Sequence, residues 1–383
     1  MDPAKFSAGS AGRIVKVGSG STAFHAFIPN PLPAPFIWTQ DTVSLLSAAD
    51  RALGQLAGVG QRLPNPHLLI GPFKRREAVL SSRLEGTQAS MSDLVLFEAA
   101  PAGEQRVEDV REVMNYVRAL EYGLERQTTL PVSLRLIKEM HKLLMEDVRG
   151  NEKTPGEFRT SQNWIGPPGC TLNDATFVPT PKDDLLDVLS AFEKFLHAES
   201  NLPPLVRLAM IHYQFEAIHP FLDGNGRIGR LLITLLLCVE GILPGPLLYL
   251  SAYFQKSRDE YYRLLLAVSQ EGRWNEWVEY FLRGVTEQAM DAVERAARLL
   301  ELREEFWDRL HRVKASALPL RLADTLFQRP AMSVPVVGKL LEVTPRSAQK
   351  IVDKLVAAGI LEEATGRRRN RVFIAREIVR AVE

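Results

Sequence analysis

A chain of 383 residues, 46% hydrophobic and 24% charged, is long enough for two or three globular domains with a substantial core. A formal net charge of +1 excludes nucleic-acid or membrane recognition by overall charge, so such a partner has to be met by a local patch. Two cysteines, Cys170 and Cys238, provide neither a disulfide framework nor a zinc site. With no signal-peptide pattern and no apolar run of membrane length, the expectation is a soluble protein of the reducing cytoplasm with no membrane partner.

Residues 1–35 are rich in Gly, Ser, Ala and Pro and end in Pro29-Asn30-Pro31-Leu32-Pro33-Ala34-Pro35, which predicts a flexible N-terminal arm. Apolar residues at helical spacing then predict helices at about 41–56 and 66–84, within an N-terminal helical region of residues 36–105. A larger helical core over residues 106–285 follows, with helices at about 107–127, 131–145, 183–198, 204–218, 228–240, 258–270 and 274–302. Residues 158–180 break this pattern with Gly, Pro, Asn and Thr around Gly166-Pro167-Pro168-Gly169, and predict a β-hairpin or extended flap. Residues 286–315 are expected to form a helix connecting the core to a last domain, residues 316–383.

That last domain has three short helix patterns, about 320–327, 334–341 and 345–358, before two strand-like pieces flanking Arg367-Arg368-Arg369-Asn370-Arg371. The pattern is that of a winged helix-turn-helix. Thr344 would cap its recognition helix, presenting Arg346, Ser347, Gln349 and Lys350 near the N-terminus, and Arg367 to Arg371 would form the wing tip. A DNA partner and a protein-docking or dimerising role both stay open, because winged helices do either.

The densest chemistry lies in His219-Pro220-Phe221-Leu222-Asp223-Gly224-Asn225-Gly226-Arg227-Ile228-Gly229-Arg230. Gly224 and Gly226 let backbone approach an anion, and the following apolar run starts a helix whose unpaired N–H groups would face phosphate oxygens. His219 suits a general base, Asp223 offers Mg2+ a hard oxygen ligand, and Asn225, Arg227 and Arg230 offer donors to a triphosphate. A Rossmann turn is excluded because a helix, not a strand, precedes these glycines, and no Walker A pattern occurs. His212 is expected to be a packed core residue, and His25, His67, His141, His197 and His311 have no partner motif.

These twelve residues resemble the Fic family signature, His-Pro-Phe-x-[Asp/Glu]-Gly-Asn-Gly-Arg-x-x-Arg, at every defined position. Ser81-Ser82-Arg83-Leu84-Glu85-Gly86 is similar to that family's inhibitory motif, [Ser/Thr]-x-x-x-Glu-[Gly/Asn]. The resemblance covers roughly residues 40–285. It implies a mainly α fold, a Fic-type helical bundle with a β-hairpin flap, here joined to the C-terminal winged helix-turn-helix. It also implies a protein adenylyltransferase: His219 deprotonates a Ser, Thr or Tyr hydroxyl of a target protein, or of the enzyme itself, and AMP is transferred from ATP with release of pyrophosphate. Gly224, Asn225, Gly226, Arg227 and Arg230 would bind the nucleotide, Asp223 would hold Mg2+, and Ile165 and Tyr262 would line the nucleoside pocket. Ser81 and Glu85 would inhibit, Glu85 pairing with Arg230 and filling the γ-phosphate site. A homodimer is expected. The alternatives are another transfer on the same scaffold, of UMP, phosphate or phosphocholine, a de-AMPylating enzyme, or a nucleotide-sensing transcriptional regulator.

Overall fold

The computed structural model of the chain describes residues 1–62, 67–99, 107–150, 152–366 and 370–383. The N-terminal 35 residues, expected as a flexible arm, contain an antiparallel hairpin, β1 (Gly12–Val17) and β2 (Phe24–Pro29), with Gly12 opposite Pro29 and Val17 opposite Phe24. What the Gly- and Pro-rich composition masked is two short β-branched and aromatic runs that pair and then bury a face. Phe27 is fully buried, donates its N–H to Val178 O at 2.9 Å and meets the Phe177 ring at 5.5 Å. Gly12 is required there, since a Cβ would lie 2.2 Å from Ile28 O.

Among the described residues eleven helices build the body: α1 (Gln40–Arg62), α2 (His67–Leu84), α3 (Met91–Ala99), α4 (Val107–Arg126), α5 (Leu134–Leu144), α6 (Leu185–His197), α7 (Pro204–Ile218), α8 (Asn225–Val239), α9 (Ser251–Lys256), α10 (Arg258–Glu271) and α11 (Trp274–Arg312). Helices α7 and α8 are apolar around most of their circumference, so they run through the core rather than over its surface. They pack on each other, with α6, α10 and α11 against α7 and α2, α4 and α5 against α8. The last helix of the body continues past residue 302, where the periodicity placed its end. One continuous helix, α11, runs from the core to Arg312 and carries α1 along its flank.

The flap at residues 158–180 is extended, and its hairpin character reduces to one bridge, Ile165 N–H to Phe177 O at 2.8 Å and the reverse bond at 3.0 Å. Pro167 and Pro168 follow directly and have no N–H with which to lengthen the ladder.

The C-terminal part is a winged helix: α12 (Ala317–Gln328), β3 (Ala331–Ser333), α13 (Val334–Leu341), α14 (Pro345–Ala357), β4 (Glu362–Glu363), β5 (Val372–Ile374) and α15 (Arg376–Val382). Strand β5 is central in an antiparallel sheet of order β3-β5-β4. The domain does not stand apart from the body, because α12 and α15 pack on α2 and α11 and the sheet packs on α3. Among the described residues no helix is long and apolar enough to cross a membrane.

Candidate active site

Helix α7 ends at His219, whose backbone turns left-handed at φ 51° while its N–H still donates to Phe215 O at 3.0 Å. That turn directs the ring off the helix end into a cleft of about 820 Å³. The ring's Nδ1 lies 3.3 Å from Glu216 O. A carbonyl only accepts, so Nδ1 carries the proton and Nε2 keeps its lone pair. Burial pushes the pKa down to about 4, and Arg159, whose Nε donates to His219 O at 2.9 Å, works in the same direction. The imidazole is therefore neutral at pH 7, the protonation state of a base.

The loop from His219 to α8 is held by Asn225 and His141. Asn225 Oδ1 accepts from Phe221 N–H at 2.8 Å and its Nδ2 donates to Phe221 O at 2.9 Å. These bonds engage Oδ1 and one of the two Nδ2 hydrogens, and with the side chain buried they hold the loop in shape. His141 accepts from Gly156 N–H at Nδ1 (2.9 Å), donates from Nε2 to Asp223 O (3.0 Å) and stacks on Phe221 with ring centroids 3.7 Å apart. The sequence offers no partner for His141, because its hydrogen-bond partners are backbone groups, of Gly156 before the flap and of Asp223 in the loop.

Gly224 starts α8 with φ 75°, and the first turn's N–H groups lack intrahelical partners by helix geometry. From this turn two buried arginines diverge. Arg227 points toward α4, its Nη1 3.6 Å from Glu112 Oε2, and its Nε and Nη1 are enclosed with no hydrogen-bond partner. Arg230 points toward α2, donating from Nε to Ser81 Oγ at 2.8 Å and from Nη2 to Ser81 O at 3.1 Å and Glu85 Oε1 at 2.6 Å. Both members of the Ser81/Glu85 motif thus meet the same guanidinium. Burial pushes the Glu85 carboxyl up, but Arg230 more than offsets it and the group stays below the usual carboxylate range.

Glu85 lies one residue past the end of α2, where Gly86 turns left-handed at φ 98°. Its carboxylate covers the first turn of α8: a Cβ on Gly226 would fall 2.4 Å from Glu85 Oε1. One turn before Ser81, buried Glu77 accepts from Tyr116 OH at 3.0 Å and from Ser251 Oγ, and burial pushes its pKa up to about 7.

Asp223 accepts Gly224 N–H at Oδ1 (2.7 Å) and Lys153 Nζ at Oδ2 (2.9 Å). Burial raises its pKa, and Lys153 and Arg227 bring it below the ordinary value. Among the described residues no group of three or more His, Cys, Asp or Glu side chains could hold a metal ion. One carboxylate beside an anion-binding helix end fits Mg2+ that takes its remaining ligands from phosphates and water.

The cleft brings together Glu85, His219, Gly226, Arg230, Ile165 and Tyr262. Asp223, Gly224, Asn225 and Arg227 lie on the adjoining loop and first helical turn, and Ser81 lies behind Arg230. Tyr262 is 41% exposed with the Arg258 guanidinium over its ring, while Tyr261 is buried and hydrogen-bonded to His212 at 2.9 Å. On the winged helix, Thr344 caps α14 by accepting from Ser347 N–H, and Arg346, Ser347 and Lys350 are exposed. Gln349 is bonded to Asp353, and wing residues Arg367 to Arg369 lie outside the described residues.

This architecture is that of a Fic-fold protein with an appended helix-turn-helix domain. Residues 43–125 match the Fic/DOC family N-terminal model, residues 131–237 the Fic/DOC family model and residues 318–373 an HTH DNA binding domain model. The chain thus carries Fic/DOC N-terminal and Fic/DOC domains followed by a helix-turn-helix domain. Protein adenylyltransferase Fic of Drosophila virilis is 30% identical over 188 residues, 48% of this chain and 35% of that enzyme. The Drosophila erecta enzyme is 29% identical over 188 residues, 48% of this chain and 34% of its own length. The match thus spans about a third of these curated relatives. Among solved structures, a Fic family protein from Desulfovibrio desulfuricans superposes with a TM-score of 0.59 and 18% identity, covering 90% of this chain and 98% of that one. Fic-1 from C. elegans gives a TM-score of 0.51 and 19% identity over 68% of this chain and 73% of that one.

Proposed function

We propose that this protein transfers AMP from ATP to a hydroxyl of a target protein and is held in check by its own Glu85. The observation that carries this reading is a neutral imidazole whose free Nε2 shares a cleft with the first turn of α8 and the Arg230 guanidinium. In the transfer, His219 Nε2 takes the proton of the target hydroxyl, the oxygen bonds to the α-phosphorus, and the bond from that phosphorus to the bridging oxygen breaks, releasing pyrophosphate. Arg227, on the first turn of α8, and Arg230 would bind the outer phosphates. Asp223 would hold Mg2+, which supplies charge neutralisation to the triphosphate. Ile165 and Tyr262 would flank the nucleoside, and the flap edge would align the target segment by backbone pairing. In the resting state Glu85 occupies Arg230 and the space over Gly226, so the γ-phosphate is excluded by volume and by like charge.

ATP labelled on the α- or the γ-phosphate, incubated with the purified chain and lysate, tests the reaction class. Label on protein from the α position is expected. Label from γ alone would mean phosphorylation, and none from either position, also with Glu85→Gly, would refute both.

A second role, binding of DNA through the winged helix, is favoured by the HTH DNA binding domain match and by exposed Arg346, Ser347 and Lys350 on α14. Such binding would weaken steeply with rising salt.

A further inference from the structure

Glu216 has no part in the transfer described above, yet it stands in the same cleft. It lies on α7 one turn before His219 and lines the wall with Tyr213, Tyr261 and Tyr262. Its Oε1 is enclosed without a hydrogen-bond partner. The room for it is made by a glycine, since a Cβ on Gly229 would come within 2.5 Å of that oxygen. That oxygen faces α8 and is closed to the cleft, which leaves Oε2, engaged by no hydrogen bond in the structure, as the oxygen the carboxyl offers to the cleft.

Helix α7 acts as a ruler, each turn advancing about 5.4 Å. From His219 the wall offers Glu216 one turn back and Tyr213 two turns back, with Leu265 and Leu266 of α10 opposite. If the α-phosphate sits at His219 and the outer phosphates run to Gly226 and Arg230, the sugar comes level with Glu216 and the base with Tyr213. A ribose diol offers two O–H donors, and a single carboxylate oxygen has two lone pairs with which to accept both. We propose that Glu216 reads the ribose of the nucleotide, accepting from its 2′- and 3′-hydroxyls and selecting ribonucleotides over deoxyribonucleotides. The inference rests on the nucleotide reading of this cleft and adds its sugar selectivity.

Titration calorimetry of the full chain with Mg2+ and ATP, 2′-deoxy-ATP or 3′-deoxy-ATP tests it. At pH 8, where Glu216 is ionised although burial pushes its pKa up to about 7, the wild type should bind at least one deoxy analogue about tenfold or more weakly than ATP, the scale of a hydrogen bond to a charged group. Glu216→Ala should lower ATP affinity to that of the analogue and lose the discrimination. Glu216→Gln, which keeps the shape and one acceptor, should lie between, and serves alone if Glu216→Ala does not fold. Asp259→Ala, at the exposed mouth of the cleft, should discriminate like the wild type. Equal wild-type affinity for all three nucleotides overturns the proposal, as does a uniform loss in both Glu216 variants, which would mean packing against Gly229. Failure of the wild type and of Glu85→Gly to bind ATP at all would instead sink the nucleotide reading itself.

Discussion

Two imidazoles in this site do different work because different backbone groups meet their nitrogens. His219 donates from Nδ1 to the carbonyl of its own last helical turn and faces the cleft with Nε2, whereas both nitrogens of His141 are consumed by backbone groups of Gly156 and Asp223. Removing the His219 ring should therefore abolish chemistry and spare binding. In a Glu85→Gly background, His219→Ala is expected to lower AMP transfer by about 10²–10⁴-fold, the range for a general base, with ATP affinity nearly unchanged. Transfer at the parental rate would remove His219 from the reaction. The depressed pKa gives a second check on the same residue. Burial disfavours the imidazolium, so the ring should remain neutral as pH falls past its ordinary value of 6.5 and protonate only near 4. Carbon-13 NMR of ring-labelled protein, assigned with His219→Ala, should show that midpoint. A titration centred at 6.5 would mean the ring is solvated and not held against Glu216 O.

At the scale of elements, the start of α8 is where inhibition and phosphate binding compete for one surface. Glu85→Gly clears that surface and frees Arg230, so transfer to targets and to the enzyme itself should rise at least several-fold. Gly226→Ala should also break the inhibitory contact, because its Cβ would sit 2.4 Å from Glu85 Oε1 and 2.9 Å from Arg230 Nη1. That methyl fills the approach a phosphate needs, so transfer should stay at or below the wild-type rate; activation equal to Glu85→Gly would show that no anion approaches Gly226. Such local chemistry was legible in the sequence because it is contiguous: α7 begins and ends at its predicted residues and the glycines lie at the helix start. Long-range partners were not legible. The hairpin of β1 and β2 hid in a Gly- and Pro-rich segment because its pairing is earned only when Phe27 packs under the flap, and the short helices α3, α9 and α15 carry too few turns to show a period. The loop-holding bonds of Asn225 were not legible for the same reason, since they depend on where the loop brings Phe221.

The whole molecule places the winged helix against the segment that bears Glu85. Helices α12 and α15 pack on α2, and the sheet of the winged helix packs on α3, the next helix after the Glu85 turn. Charged pairs fasten the same domain to α11: Arg303 to Asp324 at 2.7 Å, and Arg309 to Glu377 through both carboxylate oxygens at 2.6 and 2.9 Å. Partly exposed pairs of this kind contribute little individually, so the attachment rests mainly on the apolar contacts of α12, where Leu322, Leu326 and Phe327 are buried. Helix α2 is consequently supported from two sides, by α4, α8 and α9 of the body and by the C-terminal domain. Removing residues 316–383 should expose one of those sides, lower the melting temperature by roughly 5 °C or more, and loosen the hold of Glu85 on Arg230. Basal AMP transfer by the truncated protein should then rise toward, without reaching, that of full-length Glu85→Gly, and adding Glu85→Gly to the truncation should raise it further only slightly. A truncated protein with unchanged melting temperature and unchanged basal transfer would show that the body alone fixes α2. A fall in transfer with Glu85→Gly still fully activating would show instead that the C-terminal domain supports the cleft rather than its inhibitor.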